Sequence, residues 1–107
     1  MYTIIHYLDE NERDIYQSWL NELLDRTIAL IRRVARLELG LFGDCKSLQG
    51  GVSELRIDVG AGYRIYYAQV GNQIILLTNG GDKKSQSRDI ERAIYLLQNW
   101  RQRHGKD

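Results

Sequence analysis

Four basic side chains occupy positions from which they could converge on one phosphate group. Arg56 and Arg64 lie in neighbouring stretches of alternating polar and apolar residues, and Lys83 and Lys84 follow a pair of glycines. Such cations could neutralise the charge that a phosphate gains in a transition state, and arginine can also hold phosphate oxygens through two parallel hydrogen bonds. The chemistry that this pattern indicates is therefore the binding or activation of a phosphate group.

The two arginines belong to a predicted β-hairpin, in which polar and apolar residues alternate on either side of a Gly-Ala-Gly turn. If the hairpin is symmetric about this turn, Asp58 lies opposite Arg64 and Arg56 lies opposite Tyr66 on one face of the sheet. The arginines are then diagonal neighbours, which is unfavourable unless acids such as Glu54 and Asp58 screen them or an anion lies between them. A solvated face, on which Arg64 pairs with Asp58 and Arg56 lies over the Tyr66 ring, is the alternative.

The turn before the last predicted helix supplies the two lysines. In the segment 80–85, Gly-Gly-Asp-Lys-Lys-Ser, backbone amides and ammonium groups could meet a phosphate. The spacing differs from that of a Walker A loop, so nucleotide hydrolysis is not implied. His6 and His104 are isolated and no pair of acids has a recognisable ligand spacing, so we predict no metal site and no cofactor.

The composition predicts one domain that spans residues 1–107. The hydrophobic fraction of 43% and the charged fraction of 27% are those of an ordinary globular chain, and no apolar run reaches membrane-spanning length. Nothing after Met1 indicates export, so we expect a cytoplasmic protein. Cys45 is the single cysteine, which excludes an internal disulfide, and we expect it to be a buried or half-buried filler. The net charge of +1 permits a nucleic-acid ligand without demanding one.

The elements that must position these residues are predicted in the order β-α-α-β-β-β-α. A first strand at 2–7 precedes a helix that begins with the capping-box-like pair Asp9 and Glu12 and ends near Leu24. A connector at 41–51 leads to three strands. We predict an α+β domain with a mostly antiparallel four-stranded sheet and helices packed on one face.

The second and last predicted helices each show an apolar face. Asp25 is the expected cap of the second helix and Gly40 its expected stop. The residues expected to be buried are Ile28, Ile31, Ala35 and Leu39 in the second helix, and Ile90, Ala93, Ile94, Leu97 and Trp100 in the last.

Several strings in this chain resemble those of a known toxin group. They are Gly51-Val-Ser-Glu-Leu-Arg56, Gly60-Ala-Gly-Tyr-Arg-Ile-Tyr-Tyr67, Leu76-Leu-Thr-Asn-Gly-Gly-Asp-Lys-Lys84 and Ser87-Arg-Asp-Ile-Glu-Arg-Ala-Ile94. In this order they resemble the RelE/ParE superfamily, specifically its HigB-like branch, the addiction-module killer proteins. The resemblance spans nearly the whole chain and implies the same β-α-α-β-β-β-α fold.

The resemblance also implies a function. It implies the toxin of a type II toxin–antitoxin module, a ribosome-dependent endoribonuclease (mRNA interferase) that cleaves mRNA without a metal, by attack of a ribose 2′-OH on its own phosphate, and so inhibits translation. The implied partners are a cognate helix-turn-helix antitoxin, the ribosome and mRNA, with operator DNA reached only through the antitoxin and no membrane. The alternatives are a ParE-like inhibitor of DNA gyrase without catalytic activity and a degenerate, non-toxic member.

Site residues follow from the resemblance position by position. The implied catalytic cations are Arg56, Arg64, Lys83 and Lys84, and the implied RNA-binding residues are Tyr66, Lys46 and Arg88. Several ribonuclease members carry an aromatic or histidine acid–base group in or near the last helix. Here that region offers Asp89, Ile90 and Tyr95, with His104 further on. Because of this difference from the ribonuclease members, the sequence does not identify the residue that transfers protons. Gyrase inhibition therefore remains an alternative function.

Overall fold

A five-stranded sheet forms the centre of the molecule in the computed structural model, which describes residues 1–23 and 27–104. Its strands are β1 (Thr3–His6), β2 (Cys45–Ser47), β3 (Ser53–Ile57), β4 (Tyr63–Gly71) and β5 (Ile74–Asp82). They lie in the order β1-β5-β4-β3-β2, with β1 parallel to β5 and the other neighbours antiparallel. The predicted α+β class and mostly antiparallel sheet are confirmed.

Within the described residues, three α-helices cover both faces of this sheet. They are α1 (Ile15–Asn21), α2 (Thr27–Glu38) and α3 (Gln86–His104). One face packs against α1 and α2 through strand residues such as Ile65, and the other packs against α3 through residues such as Tyr66. The expectation of helices on one face differs from this arrangement. Because β4 and β5 carry consecutive buried residues, both faces of the sheet must be covered.

The segment predicted as a connector contains the additional strand β2. It pairs antiparallel with β3, with Cys45 opposite Leu55 and Lys46 opposite Glu54. Three exposed residues show no apolar periodicity, which is why the sequence predicted four strands. Cys45 is exposed on this edge strand, so its expected role as a buried or half-buried filler is wrong.

The start of α1 differs from the prediction. Asp14 caps the helix, its side chain accepting a hydrogen bond of 2.9 Å from the backbone N–H of Gln17. Asp9 caps a preceding turn instead, and Glu12 has a φ of +61°, which a helix cannot include. The helix ends at Asn21, and the predicted end near Leu24 and the predicted cap Asp25 lie outside the described residues.

The buried face of α2 is the reverse of the predicted one. Leu30 and Leu37 are fully buried, whereas Ile28, Ile31 and Leu39 are exposed. The helix carries apolar residues on two opposite faces, so periodicity alone cannot select the one that packs. The predicted stop at Gly40 is confirmed by its φ of +78° and its N–H bond to Leu37.

The apolar face of α3 is as predicted. Ala93 and Leu97 are fully buried against the sheet, and Ile90, Ile94 and Trp100 pack around them. Among the described helices, none combines the length and the apolar character that crossing a membrane requires.

Candidate functional site: a cationic cleft beside strands β3 and β4

Arg56 and Arg64 lie directly opposite each other on β3 and β4. The expected pairs of Asp58 with Arg64 and of Arg56 with Tyr66 are therefore wrong. The hairpin is centred on Gly60 and not one residue later, because Ile57 pairs with Tyr63. Gly60 has a φ of +52°, a conformation that glycine adopts readily. The observed register makes the two arginines direct cross-strand partners, whereas the prediction made them diagonal neighbours.

The buried carboxylate of Glu54 forms ion pairs with both arginines. Its carboxylate is 1% exposed, with Oε2 3.4 Å from Nε of Arg64 and Oε1 3.7 Å from Nε of Arg56. Oε2 also accepts hydrogen bonds from the Tyr66 hydroxyl at 3.2 Å and from Nε2 of Gln86 at 2.8 Å. A buried carboxylate with such partners offsets the repulsion between two adjacent cations. Glu54 is thus a central residue of the site, although the sequence suggested only that it screens charge.

The two guanidinium groups are turned with their Nε atoms towards acidic side chains, Arg64 towards Glu54 and Arg56 towards Glu54 and Asp44. The Nε atoms of Arg56 and Arg64 are buried, and neither makes a hydrogen bond within the described part of the chain. Nη1 of Arg64 donates to the carbonyl of Gly62 at 3.0 Å, which fixes its guanidinium plane. Because the Nε atoms are enclosed, an oxyanion would meet the terminal Nη atoms of the guanidinium groups.

A cleft of about 240 Å³ opens next to these two arginines. It is lined by Asp44, Arg56, Ile57, Asp58, Gly62, Tyr63, Arg64 and Lys83. Arg64 is buried, the Arg56 side chain is 40% exposed and Lys83 is exposed. Three of the four predicted catalytic cations therefore share one cleft, which we call the cationic cleft.

Lys84 and the predicted RNA contacts Lys46 and Arg88 lie outside the cationic cleft. Lys84 is exposed on the turn before α3 and is absent from the residues that line the cleft. Lys46 is exposed on β2, opposite Glu54 on the same face of the sheet. Arg88 lines a second cleft of about 420 Å³ between α1 and α3. The fold thus does not bring these three residues to the cleft.

Tyr66 is fully buried, which corrects its expected role as a base-stacking residue. Burial raises the pKa of its hydroxyl, and the neighbouring charge of Glu54 raises that pKa further. The hydroxyl therefore stays protonated and donates to Glu54. Its ring has no surface on which a base could stack, so Tyr66 supports the site from the core.

The glycine pair before the lysines serves packing. A Cβ atom at Gly80 would lie 2.3 Å from the Trp19 ring on α1, and one at Gly81 would lie 1.8 Å from the Asp89 carboxylate on α3. Both glycines lie within β5 and allow the two helices to approach the strand closely.

The turn amides expected to bind phosphate already have an acceptor. The Asp82 carboxylate accepts hydrogen bonds from the backbone N–H groups of Lys84 at 2.9 Å and Ser85 at 3.3 Å. This corrects the expectation that the turn amides face a ligand. Anion binding in this region depends on side chains, and of the two turn lysines only Lys83 lines the cationic cleft.

The acid–base candidates of the last helix lie away from the cleft. Asp89 is buried and accepts a hydrogen bond from the Ser85 hydroxyl, and Tyr95 is exposed on α3. His104 stacks on Trp100 with 4.6 Å between ring centroids. The side chains that line the cleft and can exchange protons are Asp44, Asp58 and Tyr63. Sequence reasoning missed Asp44 and Tyr63, because the strand register that brings them to the arginines could not be fixed.

Comparison with known proteins adds two matches. The family model described as phage-derived protein Gp49-like matches residues 18–101. A protein of Haemophilus influenzae, which carries the name "uncharacterized protein", is 45% identical over 85 residues. That match covers 78% of this chain and 86% of the relative. The family match includes every residue that lines the cationic cleft.

Proposed function

The chain belongs to the family of phage-derived Gp49-like proteins, a toxin-like family related to RelE- and HigB-type toxins, and from this premise we propose that it is the toxin of a type II toxin–antitoxin module. We propose further that it is an mRNA endonuclease of the HigB-like kind that acts on the ribosome. The observation that supports this activity is the convergence of Arg56, Arg64 and Lys83 on one cleft.

In the proposed reaction, the 2′-oxygen of a ribose attacks the adjacent phosphorus. The new bond gives a 2′,3′-cyclic phosphate, and the bond from phosphorus to the 5′-oxygen of the next nucleotide breaks. The 2′-hydroxyl loses a proton and the leaving 5′-oxygen gains one, so no further reactant is consumed. The phosphorane carries more negative charge than the starting diester, and Arg56, Arg64 and Lys83 would stabilise that charge.

Glu54 acts in this proposal as a positioning residue. It lies behind the arginines, where it fixes their guanidinium groups without meeting the substrate itself. Its burial at 1% exposure shields the ion pair with the buried Arg64 from solvent, whereas the Arg56 side chain is 40% exposed. Proton transfer falls to the titratable side chains of the cleft wall, Asp44, Asp58 and Tyr63.

Primer extension on a defined mRNA tests the proposed activity. The mRNA is incubated with the purified protein, with and without translating ribosomes, and in a second template the scissile nucleotide carries a 2′-deoxyribose. We expect cuts inside ribosome-occupied codons, and no cut at the 2′-deoxy nucleotide. Intact mRNA under all conditions would contradict the endonuclease proposal, and a cut at the 2′-deoxy nucleotide would contradict its chemistry.

Inhibition of DNA gyrase without RNA cleavage is the second candidate function. It is favoured by the position of Asp89, Tyr95 and His104, which do not line the cationic cleft. A purified gyrase assay distinguishes the two candidates. Loss of supercoiling at saturating protein would support gyrase inhibition, whereas unimpaired supercoiling would remove it.

A further inference from the structure

Large apolar side chains form an exposed stripe along α2. Ile28, Ile31 and Leu39 are 64%, 50% and 58% exposed. Their spacing places Ile28, Ile31 and Ala35 on one side of the helix, and Leu39 directly follows its last residue, Glu38. Eleven residues of helix extend about 16 Å, the length of three turns. We call Ile28, Ile31, Ala35 and Leu39 the α2 stripe. Leu41, 51% exposed, continues it beyond the end of the helix.

The α2 stripe has no role in holding α2 on the sheet. Leu30 and Leu37 anchor the helix from its opposite side and are fully buried. A contiguous row of exposed large apolar residues is uncommon on a monomeric protein and marks an interaction surface. The two-sided pattern of α2 is thus explained if one side packs on the sheet and the other binds a partner.

Charges beside the α2 stripe indicate the chemistry of that partner. Arg32 and Arg36 are exposed along one side of the stripe, whereas Glu38 stands on the other side near the end of the helix. Arg36 also lines a groove of about 420 Å³ whose charged walls are three arginines, Arg33, Arg36 and Arg56, and two acids, Asp44 and Asp58. The edge of the stripe that carries Arg32 and Arg36 is therefore basic, and the groove beside it has more bases than acids, which favours acidic groups in the partner.

We propose that the α2 stripe is the docking surface for an amphipathic helix of a protein partner. The apolar face of that helix covers the stripe, and its Asp or Glu side chains lie along the edge that meets Arg32 and Arg36. A second copy of this chain fits less well, since a two-fold antiparallel pairing of α2 helices would place the Arg32 and Arg36 edges of both copies together.

The position of Arg56 connects this surface with the cleft. Arg56 lines both the groove beside α2 and the cationic cleft. Acidic side chains that extend from the docked helix into the groove would reach this arginine and compete with a phosphate for it. In identifying the partner as the antitoxin expected for this toxin-like family, the inference rests on the proposed function.

Selection from a displayed library of helical peptides tests the inference. The library has a fixed leucine face and randomised residues along both of its edges, and it is selected against the intact protein. We expect enriched peptides to carry Asp or Glu along one edge. A double substitution, Ile28→Ser with Ile31→Ser, should weaken their binding about tenfold or more, since the two large apolar contacts of the helical part of the stripe are lost. Tyr95→Ser, which removes a 63% exposed apolar side chain on α3, serves as the matched control.

Several results would overturn the inference. They are enrichment without an acidic edge, equal binding to the wild type and the double variant, and failure of the library to yield a binder. A molecular mass in solution that rises to that of a dimer as the concentration of the wild type increases, but not for the double variant, would assign the stripe to a second copy of this chain instead. Because the selection measures binding alone, its outcome is separate from RNA cleavage, and a protein that cleaves no RNA could still bind the peptides.

Discussion

At the scale of single residues, the site depends on one buried carboxylate. Glu54 contacts Arg56, Arg64, Tyr66 and Gln86 at distances between 2.8 and 3.7 Å. Arg56 and Arg64 are adjacent cations and Arg64 is buried, so they require a counter-charge. Glu54 faces both of them, and Asp44 adds a second carboxylate 3.7 Å from Nε of Arg56. The ligand-facing arginines can therefore be ordered before any phosphate arrives, which lowers the cost of binding it.

Glu54→Gln should destabilise the protein strongly. The substitution keeps the shape of the side chain but removes its charge, which leaves Arg64 without its ion pair in a buried position. Breaking a buried pair in this way costs about 3 to 5 kcal/mol in the free energy of unfolding, to be measured by urea denaturation. Asp58→Asn, at an exposed acid of the same cleft, should change it by less than about 1 kcal/mol. Equal stability of the two variants would contradict the role given to Glu54.

Tyr16 should make stability depend on pH in the alkaline range. Burial, with the charge of Asp14 second, raises the pKa of Tyr16 from 10.0 to about 12. The folded state holds this proton to a higher pH than the unfolded state, so stability present below pH 10 is lost as pH rises through 12.

Urea denaturation at pH 8 and pH 11 measures this effect. Tyr16→Phe should lose less stability between the two pH values than the wild type. Some loss should remain, because burial also raises the pKa of Tyr66 and Tyr67. Tyr95→Phe, at an exposed tyrosine, should behave as the wild type. If Tyr16→Phe lost as much stability between pH 8 and pH 11 as the wild type, ionisation of Tyr16 would not be a cause of the loss.

At the scale of elements, β5 is the strand on which both helical layers meet. Gly80 faces Trp19 of α1, and Gly81 faces Asp89 of α3. The close approach of both helices places the start of α3, and with it Gln86, within reach of Glu54. The distance between β5 and α3 thus affects the hydrogen bond between Gln86 and Glu54, the carboxylate that faces both arginines.

Gly80→Ala should destabilise the fold through this contact. A Cβ atom 2.3 Å from the rigid Trp19 ring forces α1 or β5 to move, at a cost of about 1 to 3 kcal/mol. Thermal unfolding measures the loss. Gly71→Ala is the matched control in β4, since its Cβ atom would lie 3.3 Å from the flexible end of Ile74. A wild-type melting temperature in Gly80→Ala would show that the helix tolerates the displacement.

Sequence and structure agree best for elements whose apolar pattern has one solution. The β3 and β4 strands and the buried face of α3 follow from periodicity, and β5 follows from its continuous apolar run. Pairing β3 with β4 was enough to bring Arg56 and Arg64 together. The buried face of α2 could not be predicted, because Leu30 and Ile31 belong to two competing apolar faces. The site role of Glu54 could not be predicted either, since it depends on Gln86, 32 residues further along the chain.

At the scale of the whole molecule, two different surfaces carry the two proposed functions. The cationic cleft lies beside β3 and β4, and the α2 stripe lies on the outer side of the helix that covers the opposite face of the sheet. The groove between them shares Arg56 with the cleft and Arg36 with the border of the stripe. In this account, one surface meets RNA, the other meets a protein partner, and Arg56 links the two.

The central claim is that the cationic cleft cleaves RNA, and the adjacent lysines of the turn test it most directly. Lys83 lines the cleft, whereas Lys84 carries the same charge and is also exposed but is not among the residues that line the cleft. The measurement is the single-turnover cleavage rate of ribosome-bound mRNA by Lys83→Ala and by Lys84→Ala. We expect Lys83→Ala to lose about 100-fold in rate, as for the loss of one transition-state contact, and Lys84→Ala to stay within about threefold of the wild type. Equal losses in the two variants, or a larger loss in Lys84→Ala, would contradict the assignment of the cleft.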